Sequence, residues 1–142
     1  MSDMLKDIFN GQTALEKLYG RDKCFGCEMG MEGMTNVGKM ICDNATYMTQ
    51  ELAELRDSFY YKHWYAEFRT GKAFHPRPKG IHNAKVEVVD LLHFLMGIAV
   101  HLGMTAEEIH SFYMQKNQIN QDRFNTNMKQ EDRTEVENKG IK

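Results

Sequence analysis

The stretch Glu87-Val-Val-Asp90-Leu-Leu-His-Phe-Leu-Met-Gly-Ile-Ala-Val-His-Leu102 decides the fold. Val88, Val89, Leu91, Leu92, Phe94, Leu95, Met96, Ile98, Val100 and Leu102 leave hardly any polar side. That pattern predicts a helix over 84–102 that is buried centrally or shared with a second copy of the chain. Glu87 and Asp90 sit inside this apolar segment, where carboxylates are costly unless they are protonated or matched by positive charge. A second pair, Glu51-Leu-Ala-Glu54, lies in another helical pattern carried by Ala45, Met48, Leu52, Leu55 and Phe59, predicted over 38–69. In each pair the i, i+3 spacing puts both carboxylates on one helical face, a turn apart. If the two helices pack side by side, four carboxylates converge, and their repulsion calls for a cation. Hard divalent ions prefer carboxylate oxygen, and magnesium needs little protein ligation when substrate phosphates supply the rest.

Working outward, Leu5, Ile8, Phe9, Leu15 and Leu18 share a face of a predicted first helix over 3–19, which Gly20 ends. Gln12 interrupts that face with an amide, either a boundary residue reaching solvent or a group that reads a base. Residues 20–38 read as a long connection punctuated by glycines, with Met29, Met31 and Met34 to bury and Thr35 or Asn36 to cap the next helix. The aromatic run Phe59, Tyr60, Tyr61, Trp64, Tyr65 and Phe68 reads as core or interface, and Trp64 is the ring best placed to stack on a base. Residues 70–84 carry Lys72, His75, Arg77, Lys79 and His82, a solvated basic loop or a flap over phosphates. Thr105-Ala-Glu-Glu108 forms a capping box opening a helix over 106–124. On it Lys116, Asn120 and Arg123 fall at i, i+4 and i+7, one stripe suited to gripping phosphate oxygens.

The composition sets outer limits. The chain has 142 residues, 42% hydrophobic and 27% charged, with net charge −2, as expected of one globular domain with no bulk attraction to nucleic acid. No apolar run reaches membrane-spanning length and the N-terminus has no signal-peptide pattern, so a cytoplasmic protein without membrane contact is expected. Cys24, Cys27 and Cys42 fall one ligand short of a zinc site and read as free thiols. Residues 1–125 are expected to form an all-α domain and 126–142 a polar tail.

Glu51-x-x-Glu54, then Glu87-x-x-Asp90-Leu-Leu-His93-Phe94, then Tyr113-Met-Gln-Lys116-Asn117-x-x-Asn120-x-x-Arg123 resembles the all-alpha nucleotide pyrophosphatases, in particular the dimeric dUTPase branch with its phage-type dUTPase/dCTPase members. The resemblance implies a bundle of four to five helices completed by oligomerisation as a homodimer or higher homo-oligomer. It implies magnesium-dependent hydrolysis of dUTP, dCTP or both to the monophosphate and pyrophosphate. Glu51, Glu54, Glu87 and Asp90 would hold magnesium, with Glu51 or Glu54 orienting the attacking water. Lys116, Asn120 and Arg123 would hold phosphates, Phe94 would pack on the deoxyribose, Gln12 would read the base, and Trp64 lies near a tryptophan of the family. Members tend to show Gln-x-x-Leu-Asn in helix one; here the run is Gln12-Thr-Ala-Leu15-Glu16, and Glu16, an acceptor, suits a cytosine amino group. Another (d)NTP or modified nucleotide is the alternative substrate. A further reading is a di-iron carboxylate bundle built on Asp90-x-x-His93 and Glu107-x-x-His110.

Overall fold

The computed structural model describes residues 3–21, 31–125 and 141. It is all-α, with no strand among the described residues, as the sequence predicts. Helix α1 spans Met4–Leu18, α2 Met31–Asp57, α3 Gly80–His101 and α4 Ala106–Asn125, with a π-helical turn at Phe68–Lys72 between α2 and α3. Cys24, Cys27, Met29 and most of the expected C-terminal tail lie outside the described residues; Cys42 is an exposed free thiol.

Local chemistry explains the helix ends. Asp3 caps α1, its Oδ1 accepting from the Lys6 N–H at 3.2 Å. At the other end Gly20 takes φ +68, so its N–H reaches the Lys17 carbonyl (2.9 Å) and the Arg21 N–H reaches that of Glu16 (3.0 Å). That double bond to the last carbonyls is a Schellman ending, and it turns Arg21 back over the helix. Gly103 ends α3 in the same way (φ +73), with Met104 N–H on the Ala99 carbonyl at 3.0 Å. The capping box then opens α4: Glu108 accepts from the Thr105 N–H (2.8 Å) while the Thr105 hydroxyl accepts from the Glu108 N–H (3.1 Å). The two helices meet at 109°.

Helix α2 departs from the expected bounds at both ends. It starts at Met31, so positions 35 and 36 lie inside the helix and not ahead of it. It stops at Asp57, twelve residues early, because the following backbone finds other partners. The Ser58 carbonyl accepts from the Arg77 N–H (2.9 Å), Phe59 bridges Pro76, and Tyr60 exchanges bonds with His75 and Phe74 at 3.0 and 2.9 Å. Aromatic side chains lose rotamer freedom in a helix, so the run yields readily to this competitor. The rings gather cations instead: Arg56 stands over Tyr61 and Arg77 over Tyr60, at 4.6 and 5.2 Å.

Helix α3 begins at Gly80, four residues earlier than its apolar pattern indicates. There the backbone passes so close to Ser58 that any β-carbon would collide with the Ser58 carbonyl oxygen. Its main neighbour is α2; α1 packs on its C-terminal half, and α4 contacts α1. Met96, Gly97, Ala99, Val100 and His101 are buried, whereas Ile81, Val86, Val88, Val89 and Leu95 are exposed. Burial on all sides is therefore met only over the last turns, Met96–His101. No single helix among the described residues is long and apolar enough to cross a membrane.

Candidate active site

The packing of α2 along α3 brings one oxygen each of Glu51, Glu87 and Asp90 within 4.8 Å of one another. All three residues are half-buried. Burial pushes the Glu51 carboxyl above the usual carboxylate range, and so do its hydrogen bond with Glu87 and the charges of Glu54, Glu87 and Asp90. Three oxygen ligands in mutual repulsion form a donor set that fits a hard divalent cation. Glu54 stands apart, exposed, with its carboxylate accepting from Gln50 Nε2 at 3.2 Å. It lines a second cavity of about 280 Å³ with Glu87, Asp57, Arg77 and Asn83.

A cavity of about 220 Å³ opens on the other side of the cluster. Glu51 and Asp90 line one end, His93, Phe94, Leu15 and Tyr19 the flanks, and Gln12, Glu16, Arg21 and Asn44 the floor. Phe94 is steadied by Tyr47, ring centroids 5.6 Å apart. Most of the floor is buried, with exposure of 7% for Gln12, 1% for Glu16 and 2% for Asn44 and with His101 (0%) behind it, while the Arg21 side chain is 29% exposed. Gln12 Nε2 donates to Glu16 Oε1 at 2.7 Å, and Glu16 Oε2 lies 2.9 Å from Arg21 Nε and 3.3 Å from His101 Nε2. The Schellman ending of α1 is what delivers Arg21 to Glu16. Gln12 Oε1 and Asn44 Nδ2 have no hydrogen-bond partner among the described residues. Gly97 lets α3 pass close to this floor; a β-carbon there would lie 3.1 Å from Glu16 Oε1 and 3.2 Å from Asn44 Nδ2, so these side chains would have to shift by a few tenths of an ångström.

Several residues singled out in the sequence thus share one site: Gln12, Glu16, Glu51, Asp90 and Phe94 line the cavity, with Glu87 completing the acid cluster. Glu16 lines the cavity beside protein groups: Oε1 accepts from Gln12, while Oε2 lies at ion-pair distance from Arg21 and His101 with no directed hydrogen bond among the described residues. Trp64 is 58% exposed in the connector, edge-on to His63 and Tyr65, and does not line the cavity. Lys116, Asn120 and Arg123 lie on α4, also outside its lining, with Arg123 Nη1 donating to Asn120 Oδ1 at 3.3 Å. Comparison with protein-family models, characterised proteins and solved structures finds no match in any of the three.

The di-iron reading loses its second motif, because Glu107 lies exposed at the start of α4 and pairs with Lys6 at 3.2 Å, away from the cluster. His93 Nδ1 is 3.8 Å from Asp90 Oδ1 and largely exposed. Asn44, Arg21 and His101 escaped the sequence reading. Asn44 lies seven residues before Glu51, and His101 eleven after Asp90, so both share a helical face with an acid already singled out.

Proposed function

We propose that the protein hydrolyses a pyrimidine deoxynucleoside triphosphate, dUTP or dCTP or both, to the monophosphate and pyrophosphate. The observation that carries this reading is the joining of two unlike chemistries in one cavity. An acid cluster suited to magnesium forms one end, and a buried amide floor with unmatched hydrogen-bonding atoms forms the other. A triphosphate of a nucleoside presents the same two chemistries in the same order. Magnesium, when bound, would neutralise charge on phosphate oxygens and make a coordinated water more acidic.

The protein's own groups do the remaining work. Glu51, Glu87 and Asp90 would hold the cation, and the resemblance in sequence order supports Glu51 or Glu54 orienting the attacking water. Glu54 lies across the wall from the cavity and contributes negative charge to Glu51. Phe94 offers an apolar face to the sugar, and Gln12 and Asn44 offer polar atoms to the base. The resemblance in sequence order supports adding Lys116, Asn120 and Arg123 as phosphate ligands, reached on closure or from a second copy. The exposed apolar side of α3 supports a homodimer or higher homo-oligomer.

Incubation with each deoxy- and ribonucleoside triphosphate, with and without magnesium, followed by pyrophosphate measurement, tests the activity. Magnesium-dependent pyrophosphate release from dUTP or dCTP, lost in Glu51→Gln, is the expected result; turnover confined to purines, or none, overturns it. Sedimentation of the protein as a monomer at micromolar concentration would remove the oligomer.

A further inference from the structure

We infer that Glu16 sets the hydrogen-bond polarity of the cavity floor, so that the floor accepts a ring edge offering an N–H donor to Gln12 and an acceptor to Asn44. The inference rests on the nucleotide reading for the identity of the ring, and otherwise on the geometry of the floor.

A glutamine amide can be turned by half a rotation, exchanging oxygen for nitrogen with no change of shape. Here it has no such choice. A carboxylate offers only acceptors, so the group at 2.7 Å from Glu16 Oε1 has to be the Gln12 nitrogen. The Gln12 oxygen is thereby turned to the other side, where it is buried and unmatched among the described residues. Glu16 is held on its other side by charge: Arg21 Nε and His101 Nε2 stand 2.9 and 3.3 Å from Oε2 without a directed hydrogen bond among the described residues, and Arg21 is placed there by the glycine ending of α1. Asn44 supplies the complement, a buried amide whose Nδ2 has no hydrogen-bond partner among the described residues. It is close by: Asn44 Nδ2 and Gln12 Nε2 lie 3.2 and 3.5 Å from the same point above Gly97.

A fixed acceptor and a donor in one mostly buried floor suit a ligand edge of inverse pattern, and a buried group left unmatched discriminates more sharply than lost apolar contact does. The amidine edge of cytosine and the imide edge of uracil both carry a donor next to an acceptor. A pyrimidin-2-one ring, which has acceptors only at that edge, does not. Glu16 is therefore a positioning residue: it touches no base, and it decides which atom of Gln12 does.

Calorimetric binding of three deoxynucleoside monophosphates, those of cytosine, uracil and pyrimidin-2-one, to the wild type and to Glu16→Gln tests this. The wild type is expected to favour the better of the two natural bases over pyrimidin-2-one by at least about tenfold, the lower end for an unmatched buried acceptor. In Glu16→Gln the new amide can donate to Gln12 Oε1 and let its nitrogen face the ligand, so the preference falls to within about threefold. An unchanged preference in folded Glu16→Gln, or none in the wild type, overturns the inference. If Glu16→Gln does not fold, Asn44→Asp replaces the donor by an acceptor at constant shape; affinity for the natural bases is then expected to fall at least about tenfold, and unchanged affinity overturns the inference. A wild type that hydrolyses no pyrimidine triphosphate overturns the underlying reading and this inference with it, whereas one that hydrolyses them without regard to the donor overturns this inference alone.

Discussion

Neutralising Glu51 is expected to stabilise the protein in chelated buffer and to abolish its response to magnesium. The carboxylate oxygens of Glu51, Glu87 and Asp90 lie within 4.8 Å of one another. At that separation each pair of charges repels by about 0.9 kcal/mol if fully solvated, and about 3.5 kcal/mol at the effective dielectric of a protein surface. The half-buried site falls between these limits, and Glu51→Gln removes two pairs. Protonation already relieves part of the repulsion, since the Glu51 carboxyl is raised, which leaves a gain of about 1–2 kcal/mol. For a chain of this size that raises Tm by roughly 3–7 °C. The sign with pH follows from the raised carboxyl: the folded state binds the proton more tightly than the unfolded state. Wild-type stability without metal therefore falls as pH climbs from the ordinary Glu range through the raised value. Below the ordinary range the gap between wild type and variant closes. Magnesium reverses the order, because binding at a hundred times Kd adds about 2.7 kcal/mol to the wild type and little to the variant. Thermal denaturation of both proteins, in chelator and in millimolar magnesium at several pH values, reads all of this. A variant less stable than wild type in chelator, or a wild-type Tm indifferent to magnesium, would refute the reasoning.

Gly97→Ala presses a methyl group against Glu16, Asn44 and Gln12, and is expected to cost about 1–3 kcal/mol in urea unfolding while weakening nucleotide binding. Gly80→Ala meets the Ser58 carbonyl, a backbone atom that cannot turn aside; a loss of at least about 2 kcal/mol is expected, and near-neutral stability would contradict the close approach. Thr105→Ala removes the hydroxyl that receives the Glu108 N–H and should lower stability by about 1 kcal/mol with no change in magnesium response. Glu54→Gln removes one negative charge beside Glu51 and is expected to keep the fold and to lower turnover without abolishing it; a wild-type rate at saturating magnesium would remove Glu54 from the reaction.

The parts of the fold legible in the sequence are those set by local chemistry. The glycine ending at Gly20 and the Thr105–Glu108 box each act within one turn, and each appears where the residues predict it. The end of α2 was not legible, because helical periodicity through Leu55 and Phe59 says nothing of Arg77 and His75, some twenty residues on, which capture the backbone of Ser58 and Tyr60. For the site, the spacing of the acids located Glu51, Glu87 and Asp90 correctly on facing helices. It could not tell that Glu54, on the same helix one turn away, would look into the neighbouring cavity. Nor could residue type alone show that Glu16 would stand beside Arg21 and His101. That placement depends on how the chain turns after α1.

Helix α3 also acts as a ruler. Asp90 at the ion end and Gly97 beneath the amide floor stand on one unbroken helix, separated by about 10 Å of axial rise. A ligand must span that interval to engage both ends, so a free base or inorganic pyrophosphate can satisfy only one. Changing the floor to suit a different ring would leave the interval untouched, and the chemistry at the far end with it.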